Sequence, residues 1–229
     1  RRHTRYGTVT GVQTCALPIS STFPNRQSRI MLLAHSPSRP GTLIASNFNA
    51  SYITYDEGKT WRQLQFPNGI SPSIVTSYEF HPENDSIFWI SISGFGTKKV
   101  FQTTNAGLNS SWSDLSGGMP PIPVNCLRYQ SNSPDRLYAG TDLGVYYRDK
   151  GTKVWIPYND GLPNTVVTDI DIYKSTNKLR IATYGRGTWE ADMVNCPEIS
   201  CEVQIKGNQT FCSGDSVVLI AQDGFASYV

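Results

Sequence analysis

Thr54-Tyr55-Asp56-Glu57-Gly58-Lys59-Thr60-Trp61 has the composition of a tight turn with a bulky anchor behind it. A carboxylate two residues before a glycine can accept hydrogen bonds from the N–H groups of the turn it opens. The glycine takes the positive-φ position and a threonine hydroxyl closes the hairpin. The arrangement returns twice, as TTNAGLNSSW over Thr103–Trp112 and as YRDKGTKVW over Tyr147–Trp155. Each copy has Asp or Asn, one residue, Gly, and then Trp three to five residues further on. The acceptors Asp56, Asn105 and Asp149 lie 49 and 44 residues apart, and the glycines are Gly58, Gly107 and Gly151. A period of about 40–50 residues marks a repeated supersecondary unit.

The surrounding punctuation keeps the same rhythm. Each tryptophan is followed by a glycine-apolar-proline crossover, at Gly69–Pro72, Gly118–Pro120 and Gly161–Pro163. An alternating run comes next in each case: IVTSYEF, VNCLRYQ and VVTDIDIY. Polar turns, three of them holding Pro37, Pro82 and Pro134, then lead to second runs (TLIAS, SIFWISI, RLYAGT, KLRIATY) and third runs (SYITYD, KVFQTT, GVYYRD, GTWEADM). Period-2 alternation bounded by turn residues is the signature of half-buried strands. The expected fold is all-β: four units over about 29–66, 73–116, 123–158 and 166–193, each a four-stranded antiparallel meander. The last has three strands and no Asp-type turn, as expected if its outer strand comes from elsewhere in a ring.

Composition agrees with this class. The chain has 229 residues, 38% hydrophobic and 17% charged, with 19 Gly and 14 Pro, which excludes wholesale disorder. No apolar run approaches the ~18 residues of a membrane helix, and no basic cluster suggests a nucleic-acid partner. Residues 1–19 stand apart. VTGVQTCALPI, Val9–Ile19, resembles the translation of a sequencing-library adapter, and the stretch before it has neither turn nor strand logic. Without Arg1, Arg2 and Arg5 the basic residues fall from 20 to 17 against 18 acids, so the formal charge changes from +2 to −1. Cys15 belongs to the same stretch, and the expectation is that natural upstream sequence, further units included, is missing. After Met193 the texture changes again: a strand over 202–205, a Gly-Asn turn and a strand over 216–221 read as the start of a second β-domain covering 195–229, with the repeats occupying 20–194.

The Thr54-x-Asp56-x-Gly58-x-Thr60-Trp61 motif resembles the Asp-box, or BNR repeat, of sialidase-like and sortilin-like β-propellers. Asn105, Gly107 and Trp112, and Asp149, Gly151 and Trp155, form degenerate copies. IATYGRGTWE together with the NDGLPN crossover is similar to the closing blade of secreted BNR-repeat proteins of Bacteroidetes type, often followed by an Ig-like or PKD-like domain opening in FCSGDSVVL style and by a type IX secretion signal. The resemblance implies a partial β-propeller of about four blades, the start of an Ig-like β-sandwich, and a secreted or cell-surface location. It implies structural roles for the box residues, with each tryptophan packed between blades. An extracellular setting permits disulfides among Cys196, Cys201 and Cys212. Cys196 with Cys201 is one open pairing, and the Ig-like resemblance implies a partner for Cys212 beyond the sequence. Cys126, on an inner strand, reads as a buried thiol.

Two functions follow from the resemblance. Sialidases hold a carboxylate with three arginines, the first usually in an Arg-Ile-Pro-like motif that is absent here. A xyloglucanase-like hydrolase needs two facing carboxylates about 6.5–9.5 Å apart for inversion. Asp169 and Asp171 alternate on one strand, which fits such a role or simply solvated acids. His35 and His81 precede proline turns at equivalent positions and read as turn residues, so neither metal nor cofactor is expected. The favoured reading is a non-catalytic module for an extracellular glycan or protein ligand. Its working surface lies opposite the box turns, on the second-to-third-strand loops. These carry Asn47, Phe48 and Asn49, then Phe95 and Lys98, then Asp142, then Tyr184 and Arg186. Aromatic faces beside planar hydrogen-bonding groups suit sugar rings and extended peptides, and Phe48, Phe95, Asp142, Tyr184 and Arg186 form the candidate ligand set. Tyr184 and Arg186 have an alternative role, bracing the closing blade around the tight turn of Gly185 and Gly187. Deleting residues 1–19 is predicted to leave Tm unchanged in calorimetry, whereas a large loss of folding would overturn the adapter reading.

Overall fold

The computed structural model describes residues 23–24, 28–108, 111–133, 135–173 and 175–194, together with the backbone of 204–206 and 218–220. The adapter-like leader with Cys15, Pro134, and the cysteines Cys196, Cys201 and Cys212 lie outside the described residues. The chain divides into two units, Arg1–Met193 and Val194–Val229.

The first unit is a succession of antiparallel meanders. β1 (Leu32–His35), β2 (Leu43–Ser46), β3 (Ser51–Thr54) and β4 (Arg62–Gln63) form one sheet in chain order. β5 (Val75–His81), β6 (Asn84–Ile92), β7 (Val100–Thr103) and β8 (Ser113–Asp114) form the next. β9 (Val124–Gln130), β10 (Arg136–Thr141), β11 (Gly144–Arg148) and β12 (Ile156–Pro157) form the third, and β13 (Val167–Tyr173), β14 (Lys178–Thr183) and β15 (Thr188–Asp192) the fourth. Each outer strand of the first three sheets pairs over only two residues, which leaves little edge open to another chain. In the second unit, β16 (Gln204–Lys206) and β17 (Val218–Ile220) pair antiparallel, with Ile205 opposite Leu219.

The sheets stack face to face, so the central strands bury both faces: all six residues of β10 are buried, as are Phe88–Ile92 of β6. Alternation then sends neighbouring side chains to different junctions. Phe88 and Ile90 join Ile44, Ile53 and Leu64 in the core between the first two sheets. Trp89 joins Val100, Leu127, Leu137 and Trp155 in the core between the second and third. Each fully buried large apolar side chain of this kind contributes about 1.5–3 kcal/mol. Trp112 and Trp155 reach back by one sheet, and Trp61 packs on the segment before the first strand. Trp112 stacks on Phe66 with centroids 6.1 Å apart and donates its indole N–H to the Gln65 carbonyl at 2.7 Å. Trp155 donates to the Leu115 carbonyl at 2.7 Å. Trp61 meets the buried Phe23 edge-on at 5.2 Å.

The inner strands are joined through side chains. β5, β9 and β13 each shift register against their second strand near the start, leaving Thr76, Asn125 and Thr168 as the extra residue of a bulge. A bulge re-aims a side chain out of the ladder. Thr76 Oγ1 donates to the Val124 carbonyl at 2.6 Å, and Asn125 Nδ2 donates to the Val167 carbonyl at 3.0 Å, each crossing to the next inner strand. Thr168, on the last sheet, donates instead to the Ala182 carbonyl of its own sheet at 3.2 Å. Thr76→Val keeps the shape and removes the donor, and is predicted to cost about 1–2 kcal/mol in urea unfolding. An unchanged midpoint would mean that this link contributes nothing.

Candidate functional site

The turn Asp56–Thr60 is closed by its own side chains. Asp56 accepts from the Thr60 N–H at 2.8 Å, the Thr60 hydroxyl at 2.7 Å and the Thr54 hydroxyl at 2.8 Å. Thr54 Oγ1 in turn accepts from the Gly58 N–H at 2.9 Å, with Gly58 at φ 85°. These donors hold the Asp56 carboxyl down to about 2, with the Thr60 N–H the largest cause. Asn105 repeats the pattern: Thr103 donates to its Oδ1 at 3.0 Å and accepts from the Gly107 N–H at 2.9 Å. The third turn departs from the expectation. Asp149 forms a two-pronged pair with Arg136, at 2.6 and 2.9 Å, and that guanidinium is 1% exposed and lies over the Tyr147 ring. Gly151 does not take the left-handed conformation, and Lys153 does so instead. The reason lies at position 147, where Tyr replaces the threonine of the other copies. Tyr147 has no hydroxyl on its Cβ to receive a turn N–H as Thr54 and Thr103 do, and Asp149 turns to the buried cation.

The loops between second and third strands all leave the opposite end of their sheets, because every sheet has the same meander order. Phe48, Phe95 and Tyr184 are exposed there to 67%, 76% and 78%. Arg186 is exposed too, and its carbonyl accepts from the Trp189 indole at 3.0 Å. Asn47 is buried and its Oδ1 accepts from the Asn49 and Ala50 N–H groups, both at 2.9 Å, which makes it a turn residue. Asp142 is partly buried and accepts from Asn125 Nδ2 at 3.0 Å. Asn125 therefore links this loop to the inner-strand junction. None of Phe48, Phe95, Asp142, Tyr184 and Arg186 lines the cleft along the inner strands.

That cleft, about 400 Å³, carries a charged chain that sequence reading passed over. Arg128 on β9 lies 3.5 Å from Glu79 on β5 and 3.6 Å from Asp169 on β13, and its Nε donates to the Ile170 carbonyl at 2.8 Å. Glu79 also accepts from the Tyr129 N–H at 2.9 Å. Burial pushes the Glu79 carboxyl up to about 7, opposed by the charge of Arg128 and by that N–H. Part of the signal was present: Glu79 and Arg128 each hold the fifth position of an inner strand, whereas their partner Asp169 holds the third. Cys126 is a buried thiol as expected, pushed up to about 12 chiefly by burial. His81 packs between Trp89 and Tyr129, and its Nδ1 accepts from the Glu83 N–H. Among the described residues no group of three His, Cys, Asp or Glu could hold a metal, and no helix is long and apolar enough to cross a membrane.

No protein-family model matches the chain, and no curated protein matches it. Solved structures do. The GH74 enzyme of Niastella koreensis superposes with a TM-score of 0.53 at 18% identity, over 69% of this chain and 26% of that one. The extracellular domain of a hybrid two-component system of B. thetaiotaomicron gives 0.54 at 15% identity, over 72% and 23%. The fold is that of a β-propeller. YCF48 bound to a D1 peptide matches with a TM-score of 0.50 at 16% identity, over 72% of this chain and 51% of that one. The chain thus spans from about a quarter to about half of these structures, and at such identities the likeness carries the fold alone.

The Glu79 carboxyl is raised above its ordinary value, so the folded propeller holds a proton that the unfolded chain releases. Its contribution to stability is full below about 4.5 and is lost as pH rises through about 7. Glu79→Gln is predicted to flatten the pH dependence of Tm across that window, and an unaltered profile would contradict the raised carboxyl.

Proposed function

We propose that this propeller is a non-catalytic extracellular binding module, of the BNR or Asp-box kind, that takes a glycan or peptide on its second-to-third-strand loops. The observation that carries the reading is the exposure of Phe48, Phe95 and Tyr184 on equivalent loops of three blades. Large aromatic faces in water at the ends of a rigid scaffold are costly unless used, and they suit sugar rings and extended chains. Arg186 adds a planar donor on the same face, and Asp142 orders the third loop through Asn125. Two neighbours fit this use: one is an extracellular domain and another was solved with a peptide bound. Secretion, and an Ig-like module opening in the second unit, belong to the same proposal.

A second reading rests on Glu79. A carboxyl that titrates near neutrality, in a cleft shared with Asp169, is the type of group that serves as a general acid in glycoside hydrolysis. The GH74 neighbour keeps this alternative in view.

The two separate cleanly by substitution. Replacing Phe48, Phe95 and Tyr184 together by Ala is predicted to lower array binding of glycans or peptides at least tenfold, with Tm shifted by no more than about 2 °C. Glu79→Gln is predicted to leave that binding intact. Loss of glycan turnover in Glu79→Gln, with binding untouched by the aromatic triple substitution, would replace the proposal by the hydrolase.

A further inference from the structure

The junction between the second and third blades holds a cation that the chain itself does not satisfy. Arg148 ends β11, opposite Leu137, and its Nε is buried with no hydrogen-bond partner among the described residues. It lines a cavity of about 280 Å³ with Lys150, Gln102 and Thr104, against walls that include Trp89 and Leu137. The one carboxylate at this cavity, Asp135, is taken: Lys150 lies 3.1 Å from it and the Tyr129 hydroxyl donates to it at 2.9 Å. Burial alone lowers the affinity of Arg148 for its proton, with no neighbouring acid opposing it.

The matching junction one blade earlier is built differently. Phe88 and Leu137 face the preceding sheet in their two blades and pair with Thr103 and Arg148, so Thr103 is the counterpart of Arg148. There Leu64, Phe88 and Trp112 close over Gly107, whose missing side chain leaves room for them. The fold therefore does not require a cation at this position. A desolvated guanidinium nitrogen without an acceptor is destabilising, and a flat fork of N–H donors matches an oxyanion better than any other partner.

We infer that the junction between the second and third blades is a binding site for a small oxyanion-bearing ligand, no larger than a monosaccharide, held by the Arg148 guanidinium. Lys150 at the mouth is paired with Asp135, so the Arg148 guanidinium carries the uncompensated charge, and Gln102 and Thr104 offer neutral hydrogen-bonding groups to the remaining oxygens. Two sources share this chemistry: a free inorganic anion and the carboxylate of an acidic sugar. The site lies at the box-turn ends of its strands, away from the aromatic loops, so it stands independently of the function proposed above.

Titration calorimetry of the full chain tests this with sodium sulfate, sodium glucuronate and neutral glucose, all at one ionic strength set with sodium chloride. Either anion is expected to bind, glucose is not, and the tighter anion identifies the source. Arg148→Met is expected to weaken that binding at least tenfold while melting no lower than the parent without anion, because a desolvated charge has been removed. Arg148→Lys, which keeps the charge but loses the fork, is expected to bind more weakly than the parent and fold normally. Failure of both anions to bind the parent, or equal binding to parent and both variants, would overturn the site. A drop in Tm for Arg148→Met and Arg148→Lys, with anion affinity unchanged, would assign Arg148 a structural role instead.

Discussion

Neighbouring inner strands in this fold lie side by side but belong to different sheets, so the backbone ladder that closes each sheet cannot continue across the junction. Side chains have to make that link. The bulges at Thr76 and Asn125 turn one residue per strand out of its own ladder and toward a carbonyl of the next inner strand. Three positions further along, Arg128 ties Glu79 on one side to Asp169 on the other. With the inner strands registered in this way, apolar side chains can meet at each junction, and Trp112 and Trp155 find the preceding blade. A buried carboxylate near an arginine is weak evidence of stabilisation in itself. Its value here lies in register, since the Glu79 oxygens reach both the Arg128 guanidinium and the Tyr129 N–H.

The two ends of the blades consequently do different work. At the end with the strand 3 to 4 turns, polar side chains are spent on the protein itself: Asp56 and Asn105 on their own turns, Asp149 on Arg136. The contrast between Asp56 and Asp149 shows how local the determinant is. With Thr54 two residues ahead the carboxylate stays in the turn, and with Tyr147 in that place it leaves for a buried cation. At the opposite end the loops are held by short internal bonds, such as Asn47 to Asn49 and Ala50, while Phe48, Phe95 and Tyr184 stand out in water. A scaffold that fixes one end and frees the other supports the binding role proposed above, because loops on rigid strands lose little entropy when they meet a ligand.

Much of this architecture is legible from residue order. The spacing of Asp56, Asn105 and Asp149 and the alternation of the strand runs place all four sheets, including a last one with three strands. Other features were visible and passed over. Phe23-Pro24-Asn25 repeats Phe66-Pro67-Asn68, each phenylalanine nine residues before an inner strand, and each packs on the tryptophan of the following box turn, Phe23 edge-on to Trp61 and Phe66 stacked on Trp112. The alignment of Glu79 and Arg128 at the same place in neighbouring inner strands was equally open to inspection. The Arg136–Asp149 pair was not, because a turn motif says nothing of a cation thirteen residues away whose burial depends on the neighbouring strands. The burial of Asn47 was hidden for a similar reason: a loop asparagine beside an exposed aromatic looks like a contact residue until its oxygen is seen capping the turn.

Native-state hydrogen exchange, followed residue by residue, is the measurement closest to the central claim that the inner strands act as one stitched element. If side chains couple them, amides in the middle of β5, β9 and β13 exchange with a common opening free energy, while residues 47–49, 94–98 and 184–187 exchange far faster without disturbing it. Separate opening free energies for the three strands, blade by blade, would show that each sheet stands alone and would contradict the account.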